Sequence, residues 1–198
     1  MDMLSLKGHL VLLMAPSGSG KKHMVDTILA THRDIYFAKT YTSRAIRQGA
    51  EENPLYSFVT REAFEEMTQD NEFIEWAEFS GNFYGTPKSE IINPLQAGKV
   101  VFKEMELQGV EQIRKSIPKD HLTVVYIDAG NWEELKGRIT KRAEISEAEL
   151  ELRRKRFLHE QQAQPEADVT IRNRNGELEV AMQTMEALVR GIVDSLKK

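Results

Sequence analysis

A short apolar run near the start of the chain leads directly into a glycine-rich segment and then into an amphipathic stretch. The run covers residues 10–14, and residues 15–22 read Ala-Pro-Ser-Gly-Ser-Gly-Lys-Lys. Apolar side chains then recur at helical spacing, at Met24, Val25, Ile28 and Leu29. A buried strand, a tight turn and a helix in this order favour an α/β fold in which the turn lies at the end of a strand.

The glycine-rich segment has the pattern of a phosphate-binding loop. In such a loop, backbone N–H groups and the positive end of the following helix point toward a phosphate, and a lysine reaches the terminal phosphates. Lys21 is that lysine, and the predicted nucleotide-binding residues are Ala15, Pro16, Ser17, Gly18, Ser19, Gly20, Lys21 and Lys22. Ala15 departs from the usual first glycine, and Lys22 replaces the Ser or Thr whose hydroxyl binds magnesium. Taken without its context, a Gly/Ser surface turn is the alternative interpretation.

Composition is that of a soluble globular protein. The chain has 198 residues, of which 40% are hydrophobic and 29% are charged, enough for one core with a small insertion. The absence of cysteine excludes disulfides, thiol catalysis and cysteine-ligated zinc, and it fits a reducing cytosol. No apolar stretch approaches the ~20 residues of a membrane span, and residues 10–14 are too few for a signal peptide. We therefore expect a cytoplasmic protein without membrane contact.

The charge balance argues against nucleic acid as a partner. The formal net charge is -4, so general attraction to a polyanion is not expected. The basic run Arg-Arg-Lys-Arg at 153–156 lies among acidic residues on a helical segment, which is typical of a solvated face. Nothing in the sequence decides the oligomeric state.

Four apolar segments have the character of buried parallel strands, at residues 10–14, 100–102, 123–127 and 169–171. Helical segments separate them, and this alternation favours a parallel central sheet flanked by helices. Two stretches interrupt the pattern. Residues from about 38 to 85 are β-prone and rich in aromatic residues, with one short helix expected after Thr60, and residues from about 138 to 156 are helical and highly charged. We interpret both as insertions in a single domain whose core comprises about residues 1–37, 86–137 and 157–198.

Further signals mark the helices. Asn131 with Glu134, and Ser146 with Glu149, have the spacing of capping boxes, and Thr86-Pro87 is interpreted as a cap followed by proline at the first helical position. From about residue 176, apolar side chains form a continuous stripe that predicts a core-packed final helix. The stripe comprises Leu178, Met182, Met185, Leu188, Val189, Ile192, Val193 and Leu196.

Two arginines lie three apart in the first insertion, close to several hydroxyl groups. Arg44 and Arg47 belong to the sequence Thr-Tyr-Thr-Ser-Arg-Ala-Ile-Arg at residues 40–47. Such guanidinium groups suit a phosphate dianion, because their planar forks form bidentate, charge-assisted hydrogen bonds. Tyr56 and Tyr84 can add phenolic donors to the same phosphate. An arginine pair alone is more often solvated surface, and tyrosines in an aromatic segment are otherwise packing.

Three ordered motifs make a family resemblance specific. Phe-Ile-Glu-Trp-Ala at 73–77, Gly-Asn-Phe-Tyr-Gly-Thr at 81–86 and Leu-Gln-Gly at 107–109 follow the phosphate-binding loop in order and spacing. With them the chain resembles the guanylate kinases from Ala15 to Asn173, and some members of that family open the loop with Ala-Pro-Ser-Gly. The resemblance implies a P-loop NTPase-like α/β core, a β-rich GMP-binding insertion at about 38–85 and a helical lid at about 138–156. It also implies ATP-dependent phosphorylation of GMP or dGMP, in line and without a covalent intermediate.

The resemblance also assigns roles to residues of this chain. The GMP phosphate would contact Thr40, where the family usually has Ser, together with Arg44, Arg47, Tyr56 and Tyr84. Glu75 would accept hydrogen bonds from the guanine N1–H and amino group. Thr86 would meet the guanine oxygen, and Glu106 would lie near the amino group. A carboxylate opposite two donors is satisfied, whereas the adenine edge would leave it facing an acceptor.

The resemblance also assigns catalytic roles to Lys21, Arg44 and three lid arginines. The lid arginines would be Arg138, Arg142 and Arg153, which would stabilise charge on the transferring phosphoryl group. Asn173 would lie near the adenine of ATP, and Glu104 would be the carboxylate close to magnesium.

Several residues depart from the family pattern. Glu104 and Glu106 stand where two aspartates are common, Ala50 replaces a glutamate, and Lys22 removes the magnesium-binding hydroxyl. Lys103 interrupts an apolar strand, and we expect its stem to pack while its charge reaches water. Lys22 either supplies part of the neutralising charge or points away and weakens magnesium binding, and we prefer the second.

These departures leave two alternative functions open. The first is a kinase for a modified guanine nucleotide or another small phosphate ester, which Thr40, Ala50 and Glu106 would favour. The second is a catalytically weakened module that binds a nucleotide or a phosphopeptide, for which Lys22 is the main support. The combination of Lys21, the arginines and Glu75 favours a working kinase.

Overall fold

The computed structural model describes residues 5–16, 18–46, 55–141 and 144–197. Its strands are β1 (His9–Met14), β2 (Tyr36–Phe37), β3 (Thr40–Thr42), β4 (Tyr56–Phe58), β5 (Phe73–Phe79), β6 (Asn82–Pro87), β7 (Val100–Glu104), β8 (Leu122–Asp128) and β9 (Val169–Arg172). Its helices are α1 (Lys21–Thr31), α2 (Arg61–Gln69), α3 (Lys88–Gln96), α4 (Leu107–Arg114), α5 (Trp132–Thr140), α6 (Glu147–Gln161) and α7 (Leu178–Ser195). None of the helices in the described ranges is long and apolar enough to cross a bilayer.

One sheet has five strands in the order β2-β7-β1-β8-β9. The outer pairs, β2 with β7 and β8 with β9, are parallel. The residues at 10–13 are fully buried, as expected for a strand covered on both faces. The predicted parallel sheet flanked by helices is confirmed, and all four strands expected from the apolar segments are present. The sequence did not indicate β2, because two residues are too few to form a pattern.

The other sheet has four strands in the order β4-β3-β6-β5. β3 and β4 are parallel, whereas β6 is antiparallel to both β3 and β5. Phe64, Phe73 and Phe83 form a buried cluster with ring centroids 4.3 Å and 5.3 Å from that of Phe64. Gly85 lies against this cluster, since a Cβ atom there would be 2.9 Å from the Phe73 ring. The aromatic residues of the first insertion thus form a small core of their own.

Contacts between residues divide the chain into two compact units. The first unit comprises residues 1–10, 34–103 and 108–122, and the second comprises residues 11–33, 104–107 and 123–198. The four-stranded sheet and α2–α4 belong to the first unit, while the glycine-rich loop, α1 and α5–α7 belong to the second.

The helix signals are partly confirmed. Asn131 and Glu134 form a complete capping box at the start of α5, and the helix expected after Thr60 is α2. At α6, Ser146 accepts a hydrogen bond from the Glu149 backbone N–H at 3.3 Å. The side chain of Glu149 instead pairs with Arg153 on the same helix. The charged stretch at 138–156 therefore contains the end of α5 and most of α6, and residues 144–146 directly before α6 are not helical.

Two helix predictions were wrong. Thr86 and Pro87 lie in β6, and α3 begins after them at Lys88, because both residues pair with β5. In α7, Leu178 is 40% exposed although it was assigned to the core stripe. The buried positions of that helix are Ala181, Met185, Val189 and Ile192.

Candidate functional site

Two glycines shape the loop that precedes α1. Gly18 and Gly20 have φ values of 89° and 88°, a region that costs any residue with a Cβ atom free energy. Gly20 is the N-cap of α1 and provides no side-chain acceptor for the first N–H groups of the helix. Those donors are therefore available to an external anion, as in known phosphate-binding loops.

Asn173, directly after β9, is hydrogen-bonded to this loop. Its side-chain amide donates to the Ser19 carbonyl oxygen at 2.6 Å in a buried hydrogen bond. Arg138 of α5 donates from Nη2 to the Asn173 carbonyl oxygen at 2.7 Å and from Nε to Asn175 Oδ1 at 2.9 Å. The second unit therefore brings three predicted ATP-site elements together, namely the loop, Asn173 and one lid arginine. A Cβ atom on Gly20 would come within 2.5 Å of the Asn173 amide nitrogen.

The Ser19 hydroxyl is the buried polar group in the loop that lacks a partner. The residue is 1% exposed, and its Oγ makes no hydrogen bond with the part of the chain that the structure describes. A buried hydroxyl group without a partner is unusual in a folded protein. A phosphate oxygen bound in the loop would supply the missing acceptor.

Lys21 and Lys22 point to different surroundings. Lys21 Nζ lies 3.6 Å from Glu104 Oε2, with both side chains partly shielded from solvent. Lys22 Nζ instead pairs with Asp26 one turn along α1, at 2.8 Å, and its side chain is 82% exposed. An exposed pair of this kind adds little stability. Lys22 thus points to solvent, and the weakened magnesium binding expected from it stays a prediction.

The predicted acceptor residues of the first unit share one face of the four-stranded sheet. Side chains two residues apart on a strand point to the same face, and directly paired residues lie side by side. Thr40 is paired with Tyr56, Thr42 with Tyr84, and Glu75 with Thr86. This acceptor face carries Thr40, Thr42, Tyr56, Glu75, Tyr84 and Thr86.

Glu75 is the shielded carboxyl group of the acceptor face. The Thr86 hydroxyl, itself fully buried, donates to Glu75 Oε1 at 2.5 Å. Burial raises the pKa of the Glu75 carboxyl above its ordinary value, while the Thr86 hydrogen bonds and the charge of Lys103 act in the opposite direction. A carboxyl group in such surroundings is a candidate for binding a ligand with hydrogen-bond donors.

Lys103 of β7 is buried, contrary to the expectation that its charge reaches water. The residue is 2% exposed, and its ammonium group donates to the Ala38 carbonyl oxygen at 3.2 Å and to Thr40 Oγ1 at 2.5 Å. The prediction was wrong because β7 lies in the interior and these two oxygens replace water as acceptors. A lysine within an apolar strand was the only local signal for this arrangement.

Arg44 follows β3 on the way out of the acceptor sheet. Its backbone N–H donates to Thr42 Oγ1 at 3.2 Å, and its guanidinium carbon lies 5.7 Å from the centre of the Phe58 ring. Phe58 in turn stacks with Tyr56, their ring centroids being 6.2 Å apart, and Thr42 is paired with Tyr84. Four residues singled out from the sequence lie outside the described residues, namely Ser17, Arg47, Ala50 and Arg142.

A family model described as guanylate kinase matches residues 7–191. The chain belongs to the guanylate kinase family. It is 39% identical over 186 residues to a guanylate kinase from Nostoc sp., covering 94% of this chain and 92% of that protein. It is 35% identical over 181 residues to a guanylate kinase from Streptomyces kasugaensis, covering 91% and 87% of the two chains.

A solved structure agrees with these relatives. The crystal structure of guanylate kinase from Anaplasma phagocytophilum has a TM-score of 0.69 and 25% identity, and the alignment covers 98% of this chain and 88% of that one. As a member of this family the chain is a nucleoside monophosphate kinase, a phosphotransferase. The family uses ATP as phosphoryl donor, generally with Mg²⁺, and membership supports the phosphorylation of GMP.

The remaining guanylate kinase features concern the metal and the lid. Within the described ranges, no group of three or more His, Asp or Glu side chains is placed to hold a metal ion. Magnesium at nucleotide sites needs only one or two carboxylates besides phosphates and water, so Glu104 beside Lys21 fits this requirement. Arg153 donates from Nε and Nη2 to Glu149 Oε1 at 3.1 Å and 2.7 Å. Glu106 is exposed just after β7.

Replacement of Asn173 by alanine tests the fastening of the loop. We expect the free energy of unfolding to fall by about 1–3 kcal/mol, because the Ser19 carbonyl loses a buried donor. We also expect KM for ATP to rise about ten-fold, a change worth ~1.4 kcal/mol, with KM for GMP unchanged. Thermal denaturation and steady-state kinetics measure both effects. Asn93→Ala, at an exposed position of α3, is the matched control, and an unaltered KM for ATP in Asn173→Ala would contradict the assignment.

Proposed function

We propose that this chain transfers the γ-phosphoryl group of ATP to GMP or dGMP, and that the acceptor face of the first unit holds the monophosphate. The observation that carries the proposal is the shielded Glu75 carboxyl, bonded to the Thr86 hydroxyl on a face that also bears Thr40, Tyr56 and Tyr84. A single carboxylate among hydroxyl groups suits a ligand with two adjacent donors at one end and a phosphate at the other.

Guanine satisfies this carboxylate and adenine does not. The N1–H and the amino group of guanine are two donors for the two oxygens of Glu75. Adenine offers an acceptor at N1, which would leave a shielded carboxylate unpaired at a substantial cost in free energy. When the base occupies both carboxylate oxygens, the Thr86 hydroxyl is released to donate to the guanine oxygen. Glu106 is proposed to contact the guanine amino group.

The phosphate of GMP is proposed to contact Arg44, Arg47, Thr40, Tyr56 and Tyr84. Arg44 brings a positive charge next to β3, where its backbone N–H donates a hydrogen bond to Thr42 Oγ1. Guanidinium and phenol groups are donors, so they match the oxygens of a phosphate dianion. In this arrangement the acceptor phosphate is held as a poised nucleophile with its charge partly neutralised.

The ATP phosphates are proposed to bind the loop at residues 15–22. Lys21 contacts the terminal phosphates, Ser19 supplies a hydroxyl donor, and Asn173 lies at the adenine side of the loop. Arg138, Arg142 and Arg153 stabilise the charge that spreads over the phosphoryl group during transfer. Phosphoryl transfer requires positioning and electrostatic stabilisation rather than a covalent intermediate.

The insertions are proposed to move with their substrates. Residues of about 38–85 form the GMP-binding insertion, and residues of about 138–156 form the lid, with the core at about 1–37, 86–137 and 157–198 of a single functional domain. Closure of a lid excludes water, which competes with GMP for the phosphoryl group. The partly exposed Arg153 can exchange its partner Glu149 for a phosphate at little cost in free energy, because surface ion pairs are weak.

Magnesium is proposed to be held by the ATP phosphates, water and Glu104. When bound, it neutralises phosphate charge during transfer. Lys22→Ser should restore a hydroxyl ligand and lower the half-saturating magnesium concentration by about three- to ten-fold. A magnesium titration of the turnover rate measures this effect. Lys22→Ala removes the ion pair with Asp26 without adding a hydroxyl. It therefore separates the effect of losing the ion pair from the effect of gaining a magnesium ligand. If Lys22→Ser and the wild type give the same magnesium titration curve, the absence of this hydroxyl does not weaken magnesium binding.

A panel of acceptors tests the proposed substrate. ADP release is measured with ATP, Mg²⁺ and each of GMP, dGMP, IMP and AMP at several concentrations. We expect GMP or dGMP to have the highest kcat/KM, with AMP at least about 10³-fold lower. Faster turnover of any other monophosphate would remove guanine as the preferred base. Binding of ATP and GMP without turnover would instead indicate a module that only binds nucleotides.

A further inference from the structure

Lys103 is a buried charged residue that the proposed phosphoryl transfer does not require. Its neighbours in β7 are the buried Val100, Val101 and Phe102, so an apolar side chain would suit the strand. A buried ammonium group loses the solvation free energy of water unless hydrogen bonds and an opposite charge replace it. Its partners belong to the acceptor side of the first unit, the Ala38 carbonyl and the Thr40 hydroxyl.

We propose that Lys103 is a positioning residue for the acceptor nucleotide, which holds the Thr40 hydroxyl as a donor toward the ligand and places a positive charge next to the acceptor face that bears Glu75. The inference rests on the proposed function, because it assumes that the acceptor face binds a guanine nucleotide. It adds a determinant of base selectivity that contacts this face through Thr40.

The direction of the Thr40 hydroxyl follows from the chemistry of lysine. An ammonium group can only donate hydrogen bonds, so Thr40 Oγ1 must accept from Lys103 at 2.5 Å. The hydroxyl proton then points away from Lys103 and is available to an acceptor. Thr40 lies beside Tyr56 on the acceptor face. There the hydroxyl can donate a hydrogen bond to an oxygen of a phosphorylated ligand. Without Lys103, the hydroxyl would be free to rotate and to accept instead.

The ionisation of Glu75 follows from a balance of opposing effects. Burial favours the protonated acid, whereas the Thr86 hydrogen bonds and the positive charge of Lys103 favour the carboxylate, and burial is the largest effect. Thr86 on β6 is hydrogen-bonded to Glu75, and Lys103 on β7 acts on it through its charge. A protonated carboxyl has one acceptor oxygen fewer, so it cannot accept both hydrogen bonds from guanine. Removal of the Lys103 charge shifts the balance further toward the acid.

Inosine monophosphate provides the comparison that isolates this effect. IMP retains the N1–H donor of GMP and lacks the amino group, so it needs only one acceptor from Glu75. Loss of the ionised carboxylate therefore weakens the binding of GMP more than the binding of IMP. A general disturbance of packing would weaken both nucleotides alike.

The test uses the full chain with Lys103→Met, which keeps the volume of the stem and removes the charge. With ATP and Mg²⁺, we expect KM for GMP to rise about ten-fold and the preference for GMP over IMP to fall about ten-fold, while kcat and KM for ATP change less than about three-fold. Lys103→Arg should recover part of the preference, because it restores the positive charge. Lys119→Met, at an exposed lysine of the same unit, is the matched control.

Two further variants keep the test decisive. Lys103→Gln retains a donor for Thr40 without the charge, and it replaces the methionine variant if thermal denaturation shows that the latter does not fold. In a Glu75→Gln background, Lys103→Met should change the GMP preference less than about two-fold, because interacting residues are not additive. The inference would be overturned if the wild type phosphorylates GMP and if Lys103→Met and Lys103→Gln both keep its preference for GMP over IMP. Absence of GMP turnover in the wild type would instead refute the proposed function itself.

Discussion

Replacement of Lys21 by methionine is expected to lower kcat with ATP and GMP by about 10³-fold. Lys21 begins α1 directly after the glycine-rich loop, and its ammonium lies 3.6 Å from Glu104. In the proposed reaction the Lys21 ammonium group contacts the terminal phosphates and stabilises the negative charge that spreads over them. Methionine preserves the stem and the helix, so the loss isolates the charge. A coupled assay for ADP, with KM values for both nucleotides, measures the effect.

The control for Lys21 is an exposed lysine that is not among the predicted site residues. Lys115→Met, exposed after α4, should leave kcat and both KM values unchanged. Because Lys21 belongs to the ATP loop, KM for GMP should also stay within about three-fold of the wild type in Lys21→Met. A kcat within ten-fold of the wild type would remove Lys21 from the catalytic machinery.

Replacement of Glu75 by glutamine is expected to lower kcat/KM for GMP by about 10³-fold, and to lower the same parameter for AMP far less. The amide oxygen can still accept from Thr86, as Glu75 Oε1 does. The amide nitrogen, however, would present a donor to the donors of guanine and leave them unpaired. Steady-state kinetics with the two monophosphates measure the change in preference. Glu78→Gln, exposed on the same strand, is the matched control.

The same variant should alter the pH dependence of GMP binding. Because burial raises the pKa of Glu75, the wild-type carboxylate takes up its proton at a higher pH than an exposed glutamate does. Binding of guanine requires the ionised form, so KM for GMP should rise as the pH falls through that raised pKa. Glu75→Gln has no such proton to bind and should lack this acidic limb. An acidic limb of equal size in Glu75→Gln would assign the titration to another group.

Local sequence signals were sufficient for the ATP-binding loop and the helix after it. An apolar strand, a glycine turn and a helical stripe are all contained within residues 10–31, and α1 buries Met24, Val25 and Ile28 of the predicted stripe. The outward direction of Lys22 was also encoded locally, because Asp26 follows it at the i+4 position.

Features that depend on distant partners could not be predicted in this way. Thr86 and Pro87 carry the residue types of a helix start, but pairing with β5 makes them part of a strand. The burial of Lys103 depends on acceptors 65 and 63 residues earlier in the chain. Likewise, the Asn173 bond to Ser19 spans 154 residues. Residue types and spacing thus indicated the loop and the arginine pair, and the family resemblance supplied the roles of Glu75, Thr86 and Asn173. The hydrogen-bond partners of these residues required the fold.

A multiple-turnover reaction with product identification tests the central claim most directly. The wild-type chain is incubated with ATP, Mg²⁺ and a large molar excess of GMP, and the nucleotides are separated by chromatography. The account predicts equal amounts of ADP and GDP, many per enzyme molecule, with no GDP when GMP or ATP is omitted. Formation of ADP without GDP, or binding of both nucleotides without any product, would contradict it.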